Sequence, residues 1–189
     1  LTVTFKPPNL YEIHTAAHKL QQAAQEGTIE LLYFDEAGFS CLPNVQRSWS
    51  PLGQPHTANA SLGRKRVNAM GALDYTKGKL HFELYEHNVR REHVIPFFDH
   101  LAKSSDPDKF TFLTLDNASI HKNIEPAITQ RWQADHKFFL LYLPPYNPEL
   151  NLIEILWKHA KYHWRYFTSW TPATLVREFQ SLLASFGTK

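Results

Sequence analysis

Apolar runs of strand length, two of which end on an aspartate, organise the chain. Thr28-Ile29-Glu30-Leu31-Leu32-Tyr33-Phe34-Asp35 is one, and Phe110-Thr111-Phe112-Leu113-Thr114-Leu115-Asp116 repeats the device. Short apolar runs of this kind read as buried central strands. Arg66 to Tyr75 and Lys79 to Glu86, joined by the turn-forming Thr76-Lys77-Gly78, predict an antiparallel hairpin. Lys137 to Leu143 adds a further strand. Helical patterning covers Tyr11 to Gln25, stopped by Gly27, then Arg90 to Lys103, Ile120 to Ala134, about Glu149 to Phe167, and Pro172 to about Phe186. Leu1 to Asn9, with Pro7-Pro8, reads as an extended arm. The breaker-rich stretch from Ser40 to about Arg64 reads as a long loop, and such loops in compact domains tend to be functional. Helices falling between the later strands predict an α/β fold with a mixed sheet covered by helices. We place the N-terminal arm and short helix at 1–27 and the main domain at 28–189.

Composition narrows the class. A chain of 189 residues, 43% of them hydrophobic, is long enough for one well-buried domain and too short for two. Basic and acidic residues nearly balance, 20 against 18, so any surface made for nucleic acid must be local. The lone Cys41 excludes an internal disulfide and a thiolate zinc site and fits a reducing compartment. No apolar run reaches the roughly 18 to 20 residues that span a bilayer, and no signal-peptide pattern opens the chain, so a cytoplasmic protein is expected. The first residue is Leu1 rather than a methionine, and the chain reads as a fragment.

The paired aspartates carry the chemistry. If their strands are neighbours, the two carboxylates stand side by side, because adjacent strands are only about 4.8 Å apart. Ligands of α/β sheets gather at the carboxyl ends of parallel strands. Two anions that close repel, so one takes up a proton or both share a cation. All-oxygen ligands select magnesium or manganese over zinc. Either aspartate alone could equally be a strand-end cap; the repeated placement is what points to a site.

The last long helix offers a third acid. Asn147 suits the N-cap, Pro148 the first helical position and Glu149 the helix dipole, which puts Glu154 in the second turn. At about 100° per residue, Trp157, Lys158, Lys161 and Arg165 fall near Glu154, while Leu152, Leu156, Ala160, Trp164 and Phe167 cluster opposite. That face is either a solvated i,i+4 pairing of Glu154 with Lys158 or a metal ligand among bases that hold DNA phosphates. Three carboxylates on two magnesium ions about 4 Å apart can drive in-line phosphoryl displacement without a nucleophilic side chain. No Gly-x-Ser-x-Gly elbow, P-loop or catalytic-cysteine setting is present.

Three stretches, Tyr33-Phe34-Asp35-Glu36-Ala37-Gly38-Phe39, Leu115-Asp116-Asn117-Ala118-Ser119-Ile120-His121, and the run from Leu143-Pro144-Pro145-Tyr146-Asn147 to Glu154-Ile155-Leu156-Trp157, resemble the signature blocks of DDE transposases. The resemblance is to the bacterial insertion-sequence type related to mariner elements. It covers roughly Thr28 to Arg165, and the last block is the most specific. It implies an RNase H-like fold, a mixed five-stranded sheet with helices on both faces. It also implies cut-and-paste transposition: hydrolysis at the element ends, then 3′-hydroxyl attack on target DNA, often at a TA dinucleotide. A homodimer that brings two ends together, in a cytoplasmic, nucleoid-associated protein, belongs to the same implication. Asp35, Asp116 and Glu154 map onto the family triad, catalytic and holding two Mg2+ ions, with Mn2+ as a substitute. Asn117 and His121 match positions beside the second acid, where an orienting role is implied and core or cap roles stay open. Leu152 stands where the family often has proline. Relatives recognise their ends through an upstream helix-turn-helix region that this chain does not include, so poor end binding and unspecific cleavage are expected.

The loop ending at Arg66 supplies Arg47, Trp49, Arg64, Lys65 and Arg66, suited to phosphate contact and stacking or to a hydrophobic anchor with solvated charges. Its basic residues join Lys158, Lys161 and Arg165 as the candidate DNA-binding set. His159 and His163 have the spacing of a zinc pair but point away from Glu154 and lack an accompanying Glu-x-x-His. Trp132, Trp157, Trp164 and Trp170 could stack on bases but read as core or interface residues. An RNase H-like nuclease would use the same acids, and a domesticated non-catalytic domain could retain them. The third block speaks against the first alternative, the intact acids against the second.

Overall fold

The computed structural model of the chain describes residues 10–41, 49–54, 65–144, 147–162 and 171–187. Within them, strands β1 (Ile29–Ser40), β2 (Arg66–Asp74), β3 (Leu80–Tyr85), β4 (Phe110–Leu115) and β5 (Phe138–Tyr142) form one sheet in the order β3-β2-β1-β4-β5. The β1–β2 and β2–β3 pairings are antiparallel, and β1–β4 and β4–β5 are parallel. β1 is therefore the strand at which the two halves of the sheet meet.

The two-residue period of a strand divides its side chains between two layers. Leu31, Tyr33, Ala37 and Phe39 enter a core with Leu156, Ala160 and Phe179, under α1 (Leu10–Gln25), α4 (Ile153–Tyr162) and α5 (Leu175–Ala184). Leu32 and Phe34 enter the other, with Val94, Phe98 and Trp132, under α2 (Arg91–Ser104) and α3 (Pro126–His136). Helices thus cover both faces. Phe34 is wholly buried among Phe97, Phe98 and His121, with the Phe98 ring edge-on at 4.7 Å.

The backbone of β1 shows how the sheet opens. The carbonyl of Leu31 accepts from Tyr75 and the N–H of Cys41 donates to Lys65, so odd-numbered residues of β1 direct their backbone groups toward β2. Even-numbered ones therefore face β4. The parallel ladder ends at the pair Tyr33 and Thr114, while the antiparallel ladder continues to Ser40 and Arg66. Beyond Tyr33, β1 is paired on one side only.

Three elements depart from their sequence reading. β1 does not stop at Asp35; that residue pairs with Gly71, and the strand runs five residues further because β2 continues to hydrogen-bond it. α3 starts at Pro126 rather than at Ile120: His121 is drawn into the core and Asn123 adopts a left-handed φ of 57°, which no helix continues through. The last long helix does not start at Asn147. Pro148–Leu150 form a single 3-10 turn and α4 begins at Ile153, after Asn151 has turned its side chain into the sheet. Glu154 accordingly lies in the first turn of α4, and the predicted continuation to Phe167 falls outside the described residues beyond Tyr162.

Candidate active site

Asp35 and Asp116 lie two residues past the last parallel pair, Tyr33 and Thr114. Side chains in register on parallel strands share a face, and a step of two keeps the face. Asp35 therefore points to the layer occupied by α4, whereas Asp116, one residue past the end of β4, turns its Oδ1 to His121. Gly71, paired with Asp35, lies under that helix: a Cβ on it would meet the Trp157 ring at 2.8 Å. The missing side chain lets Trp157 lie against the sheet and brings the first turn of α4, with Glu154, alongside Asp35. Trp157 is 3% exposed, which corrects its assignment to the presented face; the helix buries Ile153, Leu156, Trp157 and Ala160 and leaves Glu154 and Lys158 outward.

A cavity of about 220 Å³ opens between strand and helix, lined by Asp35, Glu36, Glu154, Lys158 and Lys161 among others. Asp116 acts from beside it. Burial is the largest cause that pushes Asp35 up, to about 7, with Glu36, Asp116 and Glu154 adding repulsion and a backbone bond from Glu36 relieving part of it. Glu154 is raised too, by burial and then by Asp116 and Glu149, with Lys161 opposing. Among the described residues no three His, Cys, Asp or Glu side chains converge tightly enough to cage a metal ion unaided.

Asp116 is held differently. Its Oδ1 accepts from the Ala118 N–H at 2.9 Å and lies 2.7 Å from His121 Nδ1. His121 is fully buried, and its other nitrogen lies 2.7 Å from Glu36 Oε1. An imidazole carrying two protons satisfies both carboxylates at once. Burial works against that charge, but the bonds to Asp116 and Glu36 outweigh it and hold the ring up to about 9. The His121 bond in turn lowers Asp116 below the usual carboxylate range. Glu36 is the residue that sequence reasoning missed. Its signal was its place beside Asp35: pleating sends it to the opposite layer, where His121 arrives needing a second partner.

The remaining candidates divide. Asn117 does not touch an acid; its amide donates to the Leu143 carbonyl and ties the loop after β4 to the end of β5. Lys161 is half-buried, with its ammonium 5.5 Å over the Phe39 ring. Burial lowers its pKa and Arg66 adds to this, while Asp35 and Glu154 counter it. Arg66 binds Asn68 and lies across Gly38 on β1. Lys65 turns away to Glu86 at 2.9 Å. Arg47, Arg64, Arg165 and His163 lie outside the described residues. No helix among the described residues is long and apolar enough to cross a membrane.

The sheet order and the helices on both faces define an RNase H-like fold, as the resemblance to DDE transposases implied. Residues 30–174 match the model of the DDE superfamily endonucleases, and the chain belongs to that family. It is 28% identical over 160 residues to the insertion element IS630 39 kDa protein of Shigella sonnei, a match covering 83% of this chain and 45% of that protein. The chain thus spans less than half the length of this relative. The Mos1 mariner paired-end complex with Mn aligns over 99% of this chain and 66% of its own, at a TM-score of 0.55 and 16% identity. The Mos1 strand transfer complex aligns over 99% and 65%, at 0.54 and 16%. A simian T-cell lymphotropic virus intasome aligns over 84% and 49%, at 0.53 and 13%.

Proposed function

We propose that this chain is the catalytic domain of a DNA transposase, cleaving and joining DNA by divalent-metal-dependent phosphoryl transfer, with Asp35, Asp116 and Glu154 as the catalytic, metal-holding acids. One observation carries the reading: Asp35 from β1 and Glu154 from the helix above it line one cavity, with Asp116, from the loop after the parallel neighbour, near enough to repel both. Hard carboxylate oxygens short of a counter-charge fit Mg2+ or Mn2+. Asp35, Asp116 and Glu154 would hold two such ions, which would supply activation of a water or a 3′-hydroxyl and stabilisation of the leaving oxygen in an in-line displacement.

The protein groups do the rest. Asp116 is anchored through Oδ1 by Ala118 and His121, and neither bond uses Oδ2, which is left for the reaction. Glu154 lies at the positive end of α4, where a carboxylate is favoured. Lys158 and Lys161 stand on the cavity wall to take DNA phosphates, with Arg66 beside them. By extension from the Mos1 paired-end and strand transfer complexes, transposon ends and target DNA are the substrates, cut-and-paste transposition the process, and a homodimer the unit that joins two ends. Labelled duplex DNA incubated with protein and Mg2+ or Mn2+ tests this. Asp116→Ala is expected to lower nicking by at least ~100-fold. Equal nicking by both proteins, or none with either metal, overturns it.

A further inference from the structure

We propose that Asn151 is the positioning residue that sets Glu154 against Asp35, by capping the strand carbonyl left open where β1 and β4 part. The proposal rests on the role given to these acids above. Phe34 is even-numbered, so its carbonyl faces the β4 side, one step beyond the last parallel pair. There the ladder has ended, and a buried carbonyl without a donor is destabilising. Asn151 Nδ2 donates to it at 2.9 Å, from a side chain only 2% exposed. The same residue's own carbonyl accepts from the N–H of Glu154 at 3.0 Å. One residue thus bonds the neighbour of the first acid with its side chain and the third acid with its backbone.

The second amide atom shows what the residue is for. Asn151 Oδ1 is buried and has no hydrogen-bond partner among the described groups. A side chain chosen for stability alone would not keep an unmet oxygen there. Its one satisfied atom is the donor, and the bond that donor makes fixes where α4 begins relative to Asp35. The helix start that local capping signals placed at Asn147 is moved to Ile153 at this contact.

Mn2+ binding, followed by electron paramagnetic resonance of the free ion, is measured together with nicking at saturating DNA, DNA affinity in metal-free buffer and thermal midpoint. Asn151→Ala is expected to weaken Mn2+ binding by about 10- to 100-fold, as loss of an orienting partner does, and to slow nicking with metal-free DNA affinity unchanged. Asn151→Leu keeps much of the shape without any donor or charge and should behave alike; if one variant fails to fold, the other decides. Ile153→Val loosens the same turn without touching Phe34 and should leave Mn2+ binding unchanged. Wild-type Mn2+ binding in a folded Asn151 variant overturns the proposal, as does an equal loss in Ile153→Val. A wild-type protein that neither binds Mn2+ nor nicks DNA overturns the metal reading and this proposal with it. A wild type that does both, matched by Asn151→Ala, overturns this proposal alone.

Discussion

A buried carboxylate weakens the fold that holds it once it ionises. Asp35 is raised from 3.8 to about 7, so the folded chain binds this proton more tightly than the unfolded one. Its folded form is therefore most favoured at acid pH, and stability drains away as pH rises from about 4 to about 7. Asp35→Asn is expected to stabilise the metal-free protein at pH 8 by on the order of 4 kcal/mol, with the gain vanishing near pH 4. Denaturant unfolding at the two pH values reads this directly; equal stability of variant and wild type at pH 8 would show that Asp35 ionises without penalty. His121 has the opposite sign. Held up to about 9, it contributes stability that is complete below about 6.5 and lost as pH passes 9.

At the scale of elements, α4 is placed by what the sheet lacks. Gly71→Ala drives a methyl into the Trp157 ring and must lift the helix, at about 1–3 kcal/mol of overpacking. Because Glu154 rides on that helix, nicking is expected to fall by more than the loss of folded protein explains; activity per folded molecule equal to wild type would show that the helix height is unimportant. The five strands were legible in the sequence because apolar runs of strand length report burial locally, whereas their order in the sheet depends on pairings between distant segments. The start of α4 was not legible. Asn147, Pro148 and Glu149 form a sound local cap, but the contact that decides is between Asn151 and a carbonyl more than a hundred residues away in sequence. Trp157, read as a core residue but placed on the outward face of the helix, is core: the bare backbone at Gly71 makes room for it. Glu36 escaped notice because its partner, His121, is brought to it by tertiary folding.

The molecule as a whole carries a net charge of only +2, so the DNA binding proposed above would rest on local bases rather than on a global field. Lys158→Ala and Lys161→Ala are each expected to make log K against log salt shallower by about 0.9 on duplex DNA, as when one phosphate fewer is neutralised. An unchanged slope in fluorescence-anisotropy titrations would remove that lysine from the DNA surface. The parting of β1 from β4 gives the sheet two mechanical regimes along one strand. Up to Tyr33, β1 is clamped between neighbours on both edges; from Asp35 onward it hangs on β2 alone. In hydrogen-exchange terms, the strand is a slow core fused to a faster arm, and Asp35 stands on the first rung of that arm.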